Sequence, residues 1–352
     1  MANKKTTSNK TTSKEKKSKK SDQQADTKKA QAAKKREDDV LKMIAKNDSF
    51  ELTFPWQKIK PVYEQKIKQL AVNIKLKGFR KGKAPLNLAE KEIGTEKIIN
   101  RVLQQLIPEA YREQIKKRNI NPIADPEFQI ISTNRENDWT IKAITASKPE
   151  IKLDGYKKIV AEAKKKAQKN IDEHNKKAQQ QSKKSKTEKK AVQSKAKKTD
   201  DSTKQKIQPL TKQQQDDTVV QTVFSQLVAK LKPAIPELLI KQNTRQEMHN
   251  LTHKLKDMNI KMEDFLKARN MTQDQLTMQM AYSSLNQLQV EFILNAIAEE
   301  EKITVEPKEV EERIKAIEDK GVREKIKQDK AYQQYLKATI AKQKVIQYLL
   351  NM

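Results

Sequence analysis

"GFRKGKAP", residues 78–85, is the stretch on which the reading of this chain turns. The chain has five glycines in 352 residues, and two of them, Gly78 and Gly82, fall here. Between them stand one aromatic and two cations, Phe79, Arg80 and Lys81, and Pro85 closes the segment. Glycine admits positive φ without steric cost, so the pair predicts a tight, exposed turn. Such a turn would present Phe79 beside Arg80 and Lys81, a pattern suited to an apolar crevice bordered by acidic or phosphate groups. The residues alone leave a second reading open, in which Phe79 folds back into a core and the cations are merely solvated.

The surrounding composition favours a polyanionic partner. The net charge is +29, with 34% charged and only 35% apolar residues. Such an imbalance draws a protein to nucleic acid, to a ribosome or to an anionic surface. There is no cysteine, which excludes a disulfide framework and thiol chemistry. No apolar run approaches the roughly 20 residues that span a bilayer, and no apolar segment follows the basic N-terminus, so neither a membrane span nor a secretory signal is expected. A cytoplasmic location is the default.

Much of this charge lies in two biased segments. Residues 1–39 carry 13 Lys or Arg against 6 Asp or Glu and no aromatic, which predicts a disordered basic tail. Residues 160–206 carry 16 Lys against 6 acids, with no aromatic, glycine or proline. Ala, Lys and Gln favour helix, but no apolar stripe is evident, so this stretch reads as a lysine-rich spacer over 159–207. Its expected contribution is electrostatic attraction and reach, not docking specificity.

Between tail and spacer the pattern is mixed. "DSFELTF" (48–54) alternates like a strand, and "VLKMI" (40–44) is placed to pair with it across "AKND". A helix is expected over 61–76, a short one in "LNLAEKEIG" after Pro85, and a longer one over 95–118 with Ile98, Val102, Leu106 and Ala110 on one face. "EFQIIST" (127–133) and "DWTIKAITA" (138–146) read as a hairpin turning at "NREN". Together these make an α+β domain over 40–158. From 208 to 352 the signal is almost wholly helical. Val220, Phe224, Leu227 and Leu231 mark one helix, "PELLIKQNTRQEMHNLTHKLKDMNI" a second and 272–301 a third. Pro307 suits the first position of a helix running to Gly321, and a last helix carries Tyr335, Leu336, Ile340, Val345, Ile346 and Leu349.

No catalytic constellation emerges. His174 lies in the spacer. His249 and His253 share a helix face, but the nearby Glu247 and Asp257 are ordinary surface residues, so no metal site and no cofactor are expected. Phosphate-loop and serine-elbow patterns are absent. Six of the nine methionines fall within 248–280: Met248, Met258, Met262, Met271, Met278 and Met280. Methionine recurs on surfaces that bind many partners and also fills gaps between helices, and both readings stay open.

The motif resembles the ribosome-docking signature of bacterial trigger factor, Gly-Phe-Arg-x-Gly-x-x-Pro. "PLNLAEKEIG", "NPIADPEF" and "ASKPEIKLDGYKKI" follow in the family's order. "LVAKLKPAIPELLI", "VEFILNAIAEEEKITVEPKEVEERI" and "IAKQKVIQYLL" are similar to its helical domain, a plan shared with periplasmic chaperones of the SurA type. The resemblance covers about 40–158 and 208–352. It implies an α+β ribosome-binding domain followed by a mostly helical, SurA-like chaperone domain.

On that resemblance Phe79, Arg80 and Lys81 would dock on a protein of the large ribosomal subunit at the exit tunnel and touch adjacent ribosomal RNA, with Gly78 and Gly82 shaping the loop. The helical domain would cradle unfolded nascent chains, with Met258, Met262, Met271, Met278 and Met280 as client contacts, and a homodimer could form off the ribosome. One departure is large. Trigger factors usually carry an FKBP-type prolyl isomerase domain between these parts. Here there is no glycine between Gly155 and Gly321 and no aromatic between Tyr156 and Phe224. A β-rich aromatic pocket cannot be built from that composition, so isomerase activity is not expected. Two other readings are a prolyl isomerase with a divergent domain and a general basic RNA-binding protein.

Overall fold

The computed structural model describes residues 42–72, 74, 79–80, 85–191 and 208–352. The expectations for the tail at 1–39, for Gly78, Lys81 and Gly82, and for 192–206 lie outside the described residues.

The chain enters through β1 (Ile44–Ala45) and β2 (Asp48–Phe54). Alternation in β2 buries Phe50, Leu52 and Phe54 on one face, as a half-buried strand requires. α1 (Trp56–Ala71), α2 (Leu86–Ile93) and α3 (Thr95–Arg118) follow, then β3 (Glu127–Ser132) and β4 (Trp139–Thr145). The three longer strands form an antiparallel sheet of order β2-β4-β3, with Phe50 opposite Ala143 and Leu52 opposite Ile141. The hairpin turns where "NREN" places it, with Glu136 at φ 68°. Ile59, Tyr63 and Ile67 of α1 and Ile98, Val102 and Leu103 of α3 close the core over Trp139 and Ile141.

Two local expectations are corrected here. α1 starts at Trp56 rather than at Pro61 and stops at Ala71 rather than at 76. The Trp56 N–H donates to the Asp138 carboxylate at 2.9 Å, which satisfies an otherwise orphan donor of the first turn. Pro61 inside the helix costs about 3 kcal/mol. Burial of Ile59 and Ile67, at roughly 1.5–3 kcal/mol each, offsets it. The second correction concerns "VLKMI", which does not form a hairpin with β2. Ile44 and Ala45 instead pair in parallel with β5 (Ile235–Pro236), far along the chain. Met43 and Ile44 thereby pack with Ile235, Ile240 and Leu285, burial that a local two-stranded ribbon would not provide.

The second half is helical. α4 (Tyr156–Ala191) and α5 (Lys212–Leu231) pack along one another and run antiparallel, the Leu210 N–H meeting Asn175 Oδ1 at 2.9 Å near one end and Val160 meeting Val223 and Leu227 near the other. After β5 come α6 (Glu237–Asp257), α7 (Met262–Ala268), α8 (Gln273–Glu300), α9 (Pro307–Lys315), α10 (Lys320–Gln328) and α11 (Lys330–Asn351). α6 packs on α8, and α11 returns along α8 and α5. Pro307 does open its helix, but that helix stops at Lys315, not at Gly321. The Asp319 side chain accepts from the N–H groups of Gly321 and Val322 and so starts a new helix, with Gly321 in its first turn. Among the described residues no helix is long and apolar enough to cross a membrane.

The reading of 160–206 as lacking an apolar stripe is also corrected. Val160, Ala163, Ala167, Ile171 and Ala178 are buried, at the three-, four- and seven-residue spacing of one helix face. The stripe is made mostly of alanine, so two helices approach closely over it while lysines fill the exposed side. Enlarging it should therefore overpack the α4–α5 seam. Ala167→Leu is expected to cost about 1–3 kcal/mol in urea melts. Lys169→Leu, on the exposed face, should change stability by no more than about 0.5 kcal/mol. Equal melts for both variants would mean that the seam is not packed.

Candidate functional surfaces

Residues 78–85, of which Phe79, Arg80 and Pro85 are described, fall between α1 and α2, two helices that pack on each other. A buried hydrogen bond at the base of this pair joins them: the Tyr63 hydroxyl donates to Glu90 Oε1 at 2.8 Å. Arg135 approaches the other oxygen of Glu90 at 3.5 Å. Tyr63 also meets Trp139 edge to face, with ring centroids 6.1 Å apart. Burial, and then the bond to Glu90, pushes the Tyr63 phenol well above its ordinary range, so it stays a donor at any physiological pH. The two helices that flank the segment are thus fixed to one another. Between them Phe79 is 42% exposed, lies outside the core cluster, and is followed by an exposed Arg80. Phe79 is therefore not buried in the core, while the turn expected from Gly78 and Gly82 lies outside the described residues.

A second apolar surface lies on the helical half. Met258 is 66% exposed and Met278 56%, while Met248, Met262, Met271 and Met280 are half-buried. None of the six is sealed in a core. Met280 lines a cleft of about 250 Å³ together with Leu251, Phe265 and Leu276. Arg269 lies over the Phe265 ring at 4.6 Å and keeps a cation at the rim. His249 and His253 are exposed neighbours on α6, their Nε2 atoms 3.2 Å apart. Among the described residues no group of three or more ligand-type side chains could hold a metal ion.

These two surfaces are held in one frame by contacts that sequence reading did not find. Glu127 of β3 accepts from Lys241 and Arg245 of α6, each at 2.7 Å. That pairing holds its carboxyl below the ordinary range, chiefly through Lys241. Where α4 begins, Glu301 takes Lys157 at 2.8 Å and the hydroxyls of Tyr156 and Tyr348. One carboxylate therefore ties α4, the end of α8 and α11 together. No spacing rule marks such a residue in advance, because its partners come from two distant parts of the chain, 156–157 and 348.

Comparison with known proteins agrees with this architecture. Residues 39–182 match the family model described as bacterial trigger factor protein (TF), and residues 195–351 match that described as bacterial trigger factor protein (TF) C-terminus. The trigger factor of Streptococcus sanguinis (strain SK36) is 37% identical over 101 residues, which cover 29% of this chain and 24% of that protein. That of Staphylococcus epidermidis (strain RP62A) is 35% identical over 106 residues, 30% of this chain and 24% of that protein. The matched stretch thus spans about a quarter of the length of these curated relatives. A solved structure described as "Promiscuous Substrate Recognition in Folding and Assembly Activities of the Trigger Factor Chaperone" superposes with a TM-score of 0.49 at 12% identity, covering 87% of this chain and 97% of that one. The two family matches leave only residues 183–194 between them, and α4 runs to Ala191, so a separate domain has no room there.

The Glu301 junction gives a pH test. Lys157 first, then Tyr156 and Tyr348, hold its carboxyl at about 2, against roughly 4.3 in an unfolded chain. A depressed native value means the contribution is complete above the unfolded pKa and fades as pH falls towards the folded one. Glu301→Gln should therefore be less stable than the parent in urea melts at neutral pH. That difference should narrow between about pH 4 and pH 2. A gap that stays constant across this window would show that the charge of Glu301 does not hold the junction.

Proposed function

Because the chain belongs to the bacterial trigger factor family, in a form without the prolyl isomerase domain, we infer that it is a ribosome-associated holding chaperone of the cytoplasm. The observation that carries this is Phe79: an exposed aromatic followed by Arg80, between two helices joined by Tyr63 and Glu90. An aromatic anchor inside a cationic rim is the kind of hot spot that docks on a protein edge next to phosphate. The division of labour follows the chain. Residues 40–158 dock near the exit tunnel, on a large-subunit protein and adjacent ribosomal RNA, and residues 208–352 shield nascent unfolded polypeptides. Met258 and Met278 offer exposed client contacts, with Met262, Met271 and Met280 beside them. The lysine face of α4 adds salt-sensitive attraction to RNA without geometric specificity, since lysine meets phosphate as a point charge.

Replacing Phe79, Arg80 and Lys81 together with alanine should weaken ribosome affinity about thirtyfold or more, the loss of a hot spot worth about 2 kcal/mol. The circular dichroism spectrum should not change. Co-sedimentation with ribosomes at moderate salt reads the outcome. Undiminished binding would leave general attraction to RNA as the mechanism.

Holding without isomerisation has its own readout. The protein should suppress aggregation of a refolding client. A proline-limited refolding phase of roughly tens to hundreds of seconds should keep its rate. Acceleration by substoichiometric protein would show that α4 and α5 stand in for the lost domain catalytically, and the holding-only reading would fall.

A further inference from the structure

The helices at the far end of the chain enclose a groove that neither the docking loop nor the methionine surface uses. It lies between α9 and the α10–α11 corner and has a volume of about 730 Å³. That is within the range of pockets that hold ligands, roughly 300–1,000 Å³. Its floor is apolar, formed by Val305, Pro307, Val310 and Ile314. Its walls are not neutral: Lys315, Lys327, Lys330 and Lys337 line it against one acid, Glu311.

Several of the acids nearby are engaged elsewhere, whereas Glu311 faces the groove and Glu312 and Glu318 are exposed beside it. Asp319 and Asp329 cap α10 and α11 through their N–H groups. Glu309 is held by Lys344 and by the backbone of Glu306. Glu324 pairs with Lys327 at 2.7 Å on the surface, a contact worth little in water. Among the described residues Lys315, Lys330 and Lys337 have no ion-pair partner, and all three are exposed. The result is an apolar trough whose lining carries four lysines against one glutamate.

We propose that this groove selects apolar segments of unfolded polypeptides that carry acidic side chains on their flanks. The inference rests on the holding reading above and adds what that reading lacks, a rule for which segments are taken. The floor removes apolar side chains from water, which supplies affinity without direction. The lysines then discriminate. Flanking Glu or Asp meets them favourably, flanking Lys or Arg is repelled, and repulsion contributes to selectivity as much as attraction does.

The test uses three labelled peptides with one apolar core, flanked by glutamate, by lysine or by neutral serine, and the full chain at moderate salt. Fluorescence polarisation should show the glutamate-flanked peptide binding about tenfold more tightly than the lysine-flanked one. A chain of this net charge could favour acidic peptides everywhere, so position must be separated from total charge. Two variants with equal charge change do this. One carries Lys315→Glu, Lys330→Glu and Lys337→Glu in the groove; the other carries Lys158→Glu, Lys165→Glu and Lys169→Glu on the exposed face of α4. The groove variant should reverse the preference, and the α4 variant should keep most of it. Equal losses in both would assign the preference to overall charge and overturn the proposal. Equal affinity of the parent for all three peptides would overturn it too, while leaving the holding reading intact. If the parent neither binds the neutral peptide nor suppresses aggregation, the holding reading fails as well.

Discussion

A two-residue parallel ladder, Ile44–Ala45 against Ile235–Pro236, is the constraint on which the rest of the arrangement depends. It brings the start of the α+β part against the start of α6. Its neighbours reinforce it. Asn47 accepts the N–H of Leu238 at 2.8 Å, so a side chain from one half satisfies a helix terminus in the other. Pro236, at the cap position, has no side chain able to do so. Glu127 adds its two cations from α6. In a chain whose middle domain is missing, these contacts, rather than a linker, set where Phe79 stands relative to the helical surfaces.

Much of this was legible beforehand, and the parts that were not share a cause. β2, α3, the β3–β4 hairpin and the Pro307 start follow from alternation, helical spacing and proline geometry, which act within a few residues of themselves. The exposure of Phe79 was not legible, because it depends on how α1 and α2 close. Two of the errors arise where distant partners outbid a local preference. Asp138 starts α1 early and Ile235 draws Ile44 away from a hairpin, while the helix break before Gly321 is a local cap by Asp319 that was overlooked. Glu301 gives no sign of its role, since Lys157, Tyr156 and Tyr348 reach it only in the folded chain.

The α4 stripe failed for a different reason. Ala163, Ala167 and Ala178 were counted as compositional filler among lysines, and their spacing was present all along. Alanine contributes little area per residue, so a stripe of it barely registers as amphipathic. What it permits is proximity. Two backbones that come close exchange many small contacts, and the dense interior of proteins makes such contacts collectively large. A stretch that looked like filler between two domains is thereby joined to the second of them.

That joining changes what heredity can do to the segment. A flexible connector tolerates gain or loss of residues almost anywhere. A helix packed along one side does not: each inserted residue turns everything after it by about 100° and advances it about 1.5 Å. One extra residue between Ala163 and Ala178 would rotate lysines into the seam and alanines into water. Lengthening is tolerated only in steps that restore the face, near 7 or 11 residues, where the helical repeat comes almost back to register. The stretch that seems least constrained in composition is thus among the most constrained in length.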